Sequence, residues 1–301
     1  MEVRDYTPET LASVTAAYNR AVAGAPCCWP VGEQAFAAAL AKTTGEANSH
    51  KDVREKWTFV AVEGSSVVGF VDAAVGYPRE DGAYVERGVI RFLWYDPGRR
   101  TAGHALLERA ERHLRDRGQT RVQAFPQEYR LPCYYLHAAY LSDRLGHVAA
   151  LLGANGYRRI RGEVFMDWPN FKPADAGPCD VPAEIRVAWK PGRGRLPNVK
   201  VTAHLDGREI GACSCESFGE VHSAAAAQDR CFTTWLGVDD AHQGRGLGKR
   251  LLLRALVEMR GAGYRHATIS TARHNHRAFL LYTNLGFRVA DWTYAYGRDL
   301  V

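Results

Sequence analysis

The feature that most constrains this chain is the run Gln243-Gly244-Arg245-Gly246-Leu247-Gly248-Lys249, set between an apolar strand-like stretch and an amphipathic helix. Cys231 to Val238 (CFTTWLGV) is aromatic and β-branched, as a buried strand requires. Beyond the turn, Leu251, Leu252, Ala255, Leu256 and Met259 recur at helical spacing, and Gly261 and Gly263 end the helix. A glycine-rich turn that opens a helix presents unpaired backbone N–H groups, and the helix dipole favours an anion there. Arg245 and Lys249 add positive charge. The turn therefore reads as a pyrophosphate site.

Its spacing decides which kind. A nucleotide-triphosphate loop needs Gly-x-x-x-x-Gly-Lys followed by Ser or Thr, whereas Gln243 holds the first glycine position and Arg250 follows the lysine. A dinucleotide turn needs Gly-x-Gly-x-x-Gly, whereas Gly244, Gly246 and Gly248 are evenly spaced. Gln-x-x-Gly-x-Gly resembles the acyl-CoA pyrophosphate loop of the GNAT superfamily of N-acyltransferases. A second stretch strengthens that resemblance. His266 to Thr271 reads as the next strand, and Asn275-x-x-Ala278-x-x-Leu281-Tyr282-x-x-x-Gly286-Phe287 looks like the second GNAT signature, in order and at the usual distance. Ala278, Leu281 and Leu285 share a helical face, and Gly286 supplies a C-terminal cap.

A weaker copy of both signatures lies upstream. Val89 to Tyr95 reads as a strand, followed by Arg100-x-x-Gly103-His104-Ala105, an allowed variant of the same loop. Asp96 stands four residues before Arg100, as Asp239 does before Gln243. Leu145 to Tyr157 mirrors the second signature, with Gly156-Tyr157 in place of Gly286-Phe287, but Leu152 falls at the tyrosine position and Leu145 at the asparagine position. The chain thus resembles tandem GNAT proteins over nearly its whole length. The implied fold is α/β, with two GNAT-like domains, each a mixed, mostly antiparallel central sheet flanked by helices and splayed at the acyl-CoA site.

With 301 residues there is material for two cores. A Pro-, Ala- and Asp-rich stretch without periodicity places a linker at 171–183, between an N-terminal domain (1–170, cofactor loop kept, tyrosine lost) and a C-terminal, catalytic domain (184–301). Two helical stretches, Glu9 to Val22 and Gly32 to Thr43, supply what is usually the acceptor wall in this family. The C-terminal half has no room for them between its first two strands. Its acceptor cleft is then either open or completed by the N-terminal domain. No run approaches membrane-span length, the charged N-terminus lacks a signal-peptide core, and the seven cysteines form no Cys-x-x-Cys pair. These features predict a reducing, cytoplasmic setting, no metal and no membrane; the Arg bias suggests a GC-rich bacterial genome. The net charge of +6 suits acidic CoA as well as any other partner. Gly192-Arg193-Gly194-Arg195 resembles a minor-groove hook but lacks its flanking prolines, and a basic loop is the plainer reading. Oligomeric state is not legible, although tandem halves can form a pseudo-dimer.

The resemblance implies an N-acetyltransferase that moves an acetyl group from acetyl-CoA to a primary amine, most simply of a small molecule. A protein amine, or a CoA-binding regulatory or scaffolding protein without catalysis, are the alternatives. Pantetheine is expected along the strand edge at Leu236, Gly237 and Val238, with a backbone N–H polarising the thioester carbonyl. The pyrophosphate is expected on Gln243 to Lys249. Asn275 would order a pantetheine amide or a water. Tyr282, a phenol with an ordinary pKa of about 10, would protonate the departing thiolate. Glu216 and Glu220, with His222 and His274 behind them, are the nearest candidates for a base, and none is assigned. The N-terminal copy (Arg100, Gly103, His104, Ala105) is expected to bind CoA without turning it over.

Overall fold

A computed structural model describes residues 1–41, 53–77, 79–80, 82–134, 140–175, 177 and 179–300. In chain order the elements are β1 (Glu2–Asp5), α1 (Leu11–Val22), α2 (Glu33–Ala41), β2 (Arg54–Glu63), β3 (Ser66–Gly76), β4 (Arg79–Glu80), β5 (Ala83–Tyr84), β6 (Arg87–Tyr95), α3 (Arg100–Arg115), β7 (Arg121–Ala124), β8 (Leu141–Ser142) and α4 (Gly146–Ala154). There follow β9 (Arg158–Pro169), β10 (Glu184–Lys190), β11 (Asn198–Leu205), β12 (Arg208–Ser217), α5 (Ala225–Gln228), β13 (Arg230–Val238), α6 (Leu247–Gly261), β14 (His266–Ala272), α7 (His276–Leu285) and β15 (Arg288–Asp299). Contacts divide the chain into two units: Met1–Glu163 with Asp291–Val301, and Val164–Ala290.

In the first unit the strand order is β1-β2-β3-β6-β7-β15-β9. The pairs are antiparallel from β1 to β6 and at β7–β15, and parallel at β6–β7. Helix α1 buries Val14, Ala17, Tyr18, Ala21 and Val22, the stripe that 3.6-residue periodicity requires. Its Tyr18 meets Phe36 of α2 and Phe92 of β6. Helix α3 buries Leu106, Leu107, Ala110 and Leu114 and packs on β2, β3 and β6. The helical stretches expected at Glu9–Val22 and Gly32–Thr43 are thus α1 and α2. The first is preceded by a 3-10 turn over Pro8–Thr10, and Thr43 lies outside the described residues.

The units depart from the sequence-based division at both ends of the C-terminal half. Residues 291–300 join the first unit, because buried polar groups hold them there. Asp291 accepts from the Ser142 hydroxyl and from Asp143 N. Glu111, 4% exposed, accepts from Arg298 Nη1 at 2.8 Å, from the Tyr157 hydroxyl at 3.0 Å and from Arg115 Nη2 at 3.1 Å. A buried carboxylate needs such partners.

The second unit has the strand order β9-β14-β13-β12-β11-β10, antiparallel from β10 to β13 and parallel at β13–β14. Helix α6 lies on β11, β12 and β13 through Leu247, Leu251, Leu252, Ala255, Leu256 and Met259. The stretch expected to be a linker is packed on this unit. Phe171 is fully buried and its N–H bonds Arg265 O, and Val181 is also fully buried. Cys213, Cys215 and Cys231 are small buried side chains, as their strand positions suggest. The Gly192–Arg195 run turns back against the loop after β12. A Cβ on Gly194 would lie 3.0 Å from Gly219 Cα, and Glu220 accepts from Arg193 N and Asn198 Nδ2. Close approach of two backbones accounts for Gly194, and the Glu220 and Asn198 side chains occupy the space beside Gly192.

Replacing Glu111 with Ala should destabilise the protein by about 2–3 kcal/mol in urea unfolding, below the fully buried case because its arginines are partly solvated. Arg112→Ala, which removes an exposed i,i+4 pair with Glu108, should change stability by less than about 0.5 kcal/mol. Equal effects would show that Glu111 does not anchor the last strand.

Candidate active site

Strand β13 pairs with β14 only over Arg230↔His266 to Thr233↔Ile269. Beyond that point the two strands part, so the β14-facing edge of 234–238 has no strand partner among the described residues. On the other side β13 stays paired with β12 through Val238↔Gly211, with a register shift at Ser214/Cys215. Leu236, Gly237 and Val238 lie half-buried on the open edge, where pantetheine was expected.

The turn that follows is built around unpaired donors. Gly244 and Gly246 adopt φ +76° and +83°, conformations that other L-residues rarely take, and Gly246 is the N-cap of α6. The first N–H of this helix start to find a backbone partner is that of Arg250, bonded to Gly246 O at 3.0 Å. Among the described residues the N–H groups from Gly244 to Lys249 are unpaired with backbone. Gln243 clamps the turn to the strand end, since its Nε2 donates to Val238 O at 2.9 Å and to Asp240 Oδ1 at 2.7 Å. Arg245 leans on the Asp180 carbonyl at 2.7 Å. Leu247 is buried, a Cβ added at Gly248 would lie 3.7 Å from Val238 Cγ2, and Lys249 is exposed.

Tyr282 is 5% exposed and is the buried residue of α7. Its ring faces Phe287, centroids 6.1 Å apart, and its hydroxyl has no hydrogen-bond partner among the described residues. Burial pushes the phenol above its ordinary value, and the Cys213 thiol adds to the shift. Cys213 stands directly across from Leu236 of β13. Asn275 is the N-cap of α7: its Oδ1 accepts from Ala278 N at 3.2 Å, which leaves its amide NH₂ as the free end. Gly286 ends the helix at φ +115°.

The base candidates separate on geometry. Glu220 is engaged with the loop before β11, as described above. The His222 Nδ1 accepts from Ala224 N, and His274 is exposed. Glu216 lies half-buried, across from Phe232. Sequence reasoning missed Trp235. An aromatic in a strand reads as core, yet this one is 63% exposed.

The first unit carries the same outline with its cavity filled. Pairing of β6 with β7 ends at Ile90↔Ala124, but the opening receives Phe125 and Tyr134, both fully buried against Phe92. Arg91 donates to Tyr129 O and pairs with Asp72 at 3.2 Å, both charges being buried. At the helix start, Ala102 N and Gly103 N fold back onto Arg99 O. Arg100 Nε donates to His104 Nε2 at 3.1 Å, Gly103 packs on the Tyr95 ring, and Ala105 is half-buried. This turn offers an anion fewer free donors than its counterpart does. Leu152, at the tyrosine position, is fully buried.

Among the described residues no cluster of three His, Cys, Asp or Glu is placed to hold a metal ion, and no helix is long and apolar enough to cross a membrane. The sequence model of the acetyltransferase (GNAT) family matches residues 165–287. A mycothiol acetyltransferase of Thermobifida fusca is 33% identical over 149 residues, which cover 46% of this chain and 42% of that protein. Less than half of the curated relative's length is therefore spanned. A tandem GNAT protein from the clavulanic acid biosynthesis pathway superposes with a TM-score of 0.69 at 18% identity, covering 100% of this chain and 98% of that one. A GCN5-related N-acetyltransferase from Sphaerobacter thermophilus gives 0.63 at 15% identity, covering 99% and 95%. Residues 165–287 are a domain of the GNAT acetyltransferase family, in a chain of tandem GNAT fold.

Proposed function

We propose that the second unit transfers an acetyl group from acetyl-CoA to the primary amine of a small-molecule acceptor. The observation that carries this reading is the conjunction of three unsatisfied groups in one unit: the open edge of β13, the unpaired N–H groups of Gly244 to Lys249, and the unpartnered Tyr282 phenol. The pyrophosphate binds on the turn and at the positive end of α6. The pantetheine adds to the edge at Leu236–Val238 as an extra strand would, and a backbone N–H there polarises the thioester carbonyl. The neutral amine attacks that carbon, and its proton passes to water in the open cleft. As the C–S bond breaks, Tyr282 gives its proton to the thiolate and regains one from solvent.

The first unit acts as a scaffold without turnover. The rings of Phe125 and Tyr134 support this reading, since they occupy the space where a thioester would enter.

Tyr282→Phe should lower kcat by about 100-fold or more and leave the calorimetric affinity for acetyl-CoA within about twofold, since an unpartnered hydroxyl contributes little to binding. An unchanged kcat would remove the phenol from the mechanism. Because burial raises the Tyr282 pKa, the donating form persists through the weakly alkaline range. The rate should therefore rise between about pH 7 and 9.5 as the amine loses its proton. A fall over that range, absent in Tyr282→Phe, would mean that the phenol ionises earlier. Titration of CoA into the intact chain should give one site; two equivalent sites would contradict the scaffold role of the first unit.

A further inference from the structure

The two units share a strand register that isolates one side chain. In each, the strand before the helix carries a register shift against its antiparallel neighbour, at Asp72/Ala73 in one and at Ser214/Cys215 in the other. In each, the aromatic residue two places past the last parallel pair sits next to that shift: Phe92 opposite Asp72, and Trp235 opposite Ser214. Phe92 is fully buried, lying 5.6 Å from Tyr18 of α1, which in turn packs on Phe36 of α2. The second unit has only a short loop where those helices would stand, between β10 and β11. Trp235 is consequently 63% exposed, the most exposed large apolar side chain among the described residues.

A single exposed aromatic is ordinary on a protein surface, but this one is held in place. Its indole lies against Gly237, where an added Cβ would come within 3.0–3.1 Å of the ring atoms. Gly237 is on the open edge expected to hold the pantetheine, so the ring stands beside that edge. Across the sheet the same row continues through Ser214 and Lys200, a hydroxyl and an ammonium that is paired with the Glu209 carboxylate at 3.3 Å. One apolar plate next to hydrogen-bonding groups, with no helix of its own unit between β10 and β11 to cover it, suits a molecule with one C–H face and several hydroxyls. A flat aromatic amine would leave its second face in water.

We infer that Trp235 is the acceptor platform of the second unit, and that the acceptor amine is borne on a polyhydroxylated ring. This rests on the acetyl-transfer reading and names its substrate class. The indole stacks on the C–H face of the ring, Ser214 and Lys200 meet its hydroxyls, and the amine is directed at the strand edge.

Wild type, Trp235→Ala and Trp235→Phe should be compared with acetyl-CoA and three probes: D-glucosamine, cyclohexylamine and putrescine, with release of free CoA as the readout. Glucosamine should be the best acceptor. Trp235→Ala should raise its KM by about tenfold, the scale of a lost aromatic contact. The KM for acetyl-CoA should stay within about twofold, and Trp235→Phe should be intermediate. In parallel, glucosamine should perturb the indole fluorescence of the wild type and not that of Trp235→Phe. An unchanged glucosamine KM in Trp235→Ala, or a preference for putrescine, would overturn the platform. If no amine releases CoA while the fluorescence response to glucosamine is present, the platform stands and the acetyl-transfer reading falls. If neither is seen, both fall.

Discussion

The end of parallel pairing at Thr233↔Ile269 is the constraint on which the second unit's site depends. A strand inside a sheet normally has both edges bonded, and unpaired backbone groups away from water are costly. Here β13 keeps one neighbour and loses the other half-way along, with a register shift on the retained side that increases local twist. The turn beyond it repeats the condition, because Gly244 and Gly246 hold the chain where its N–H groups cannot bond back to backbone. The candidate site is thus mainly a run of unpaired main-chain groups. Side chains do the framing: Gln243 clamps the turn to the strand and Asn275 caps α7, while the Tyr282 phenol is buried without a hydrogen-bond partner among the described residues.

The first unit shows what the same geometry becomes when the gap is filled. Its strands part at Ile90↔Ala124, the position equivalent to Thr233↔Ile269, yet Phe125 and Tyr134 close on Phe92, and Arg91 is neutralised by Asp72. Its helix start bonds to itself through Arg99 O. The connection from β7 to α4 is long, whereas β14 reaches α7 through three residues, and that added length supplies the filling rings.

What the sequence made legible was local. The helix that opens after the glycine-rich turn and the stop at Gly286 depend on a few neighbouring residues, and each is read correctly from residue type and spacing. Features set by distant partners were not legible. The composition of 171–183 reads as a linker, although Phe171 and Val181 are each buried by the second unit. Trp235 reads as core, although it is 63% exposed in a unit with no helix between β10 and β11. The membership of residues 291–300 rests on Glu111 and Asp291, whose partners lie far away along the chain.

That last feature bears on the order in which the protein forms. Arg121 and Asp299, an ion pair on neighbouring strands, are 178 residues apart in sequence. Domains generally fold as units during synthesis, from the N-terminus onward, but the first unit here cannot complete its sheet until its last strand has been made. The second unit, encoded between the two parts, has all its residues available sooner. The second unit is therefore expected to fold first, while β7 waits with an open edge. Such an edge invites wrong pairing, and β7 is only four residues long and begins with a charged Arg121, which limits that hazard.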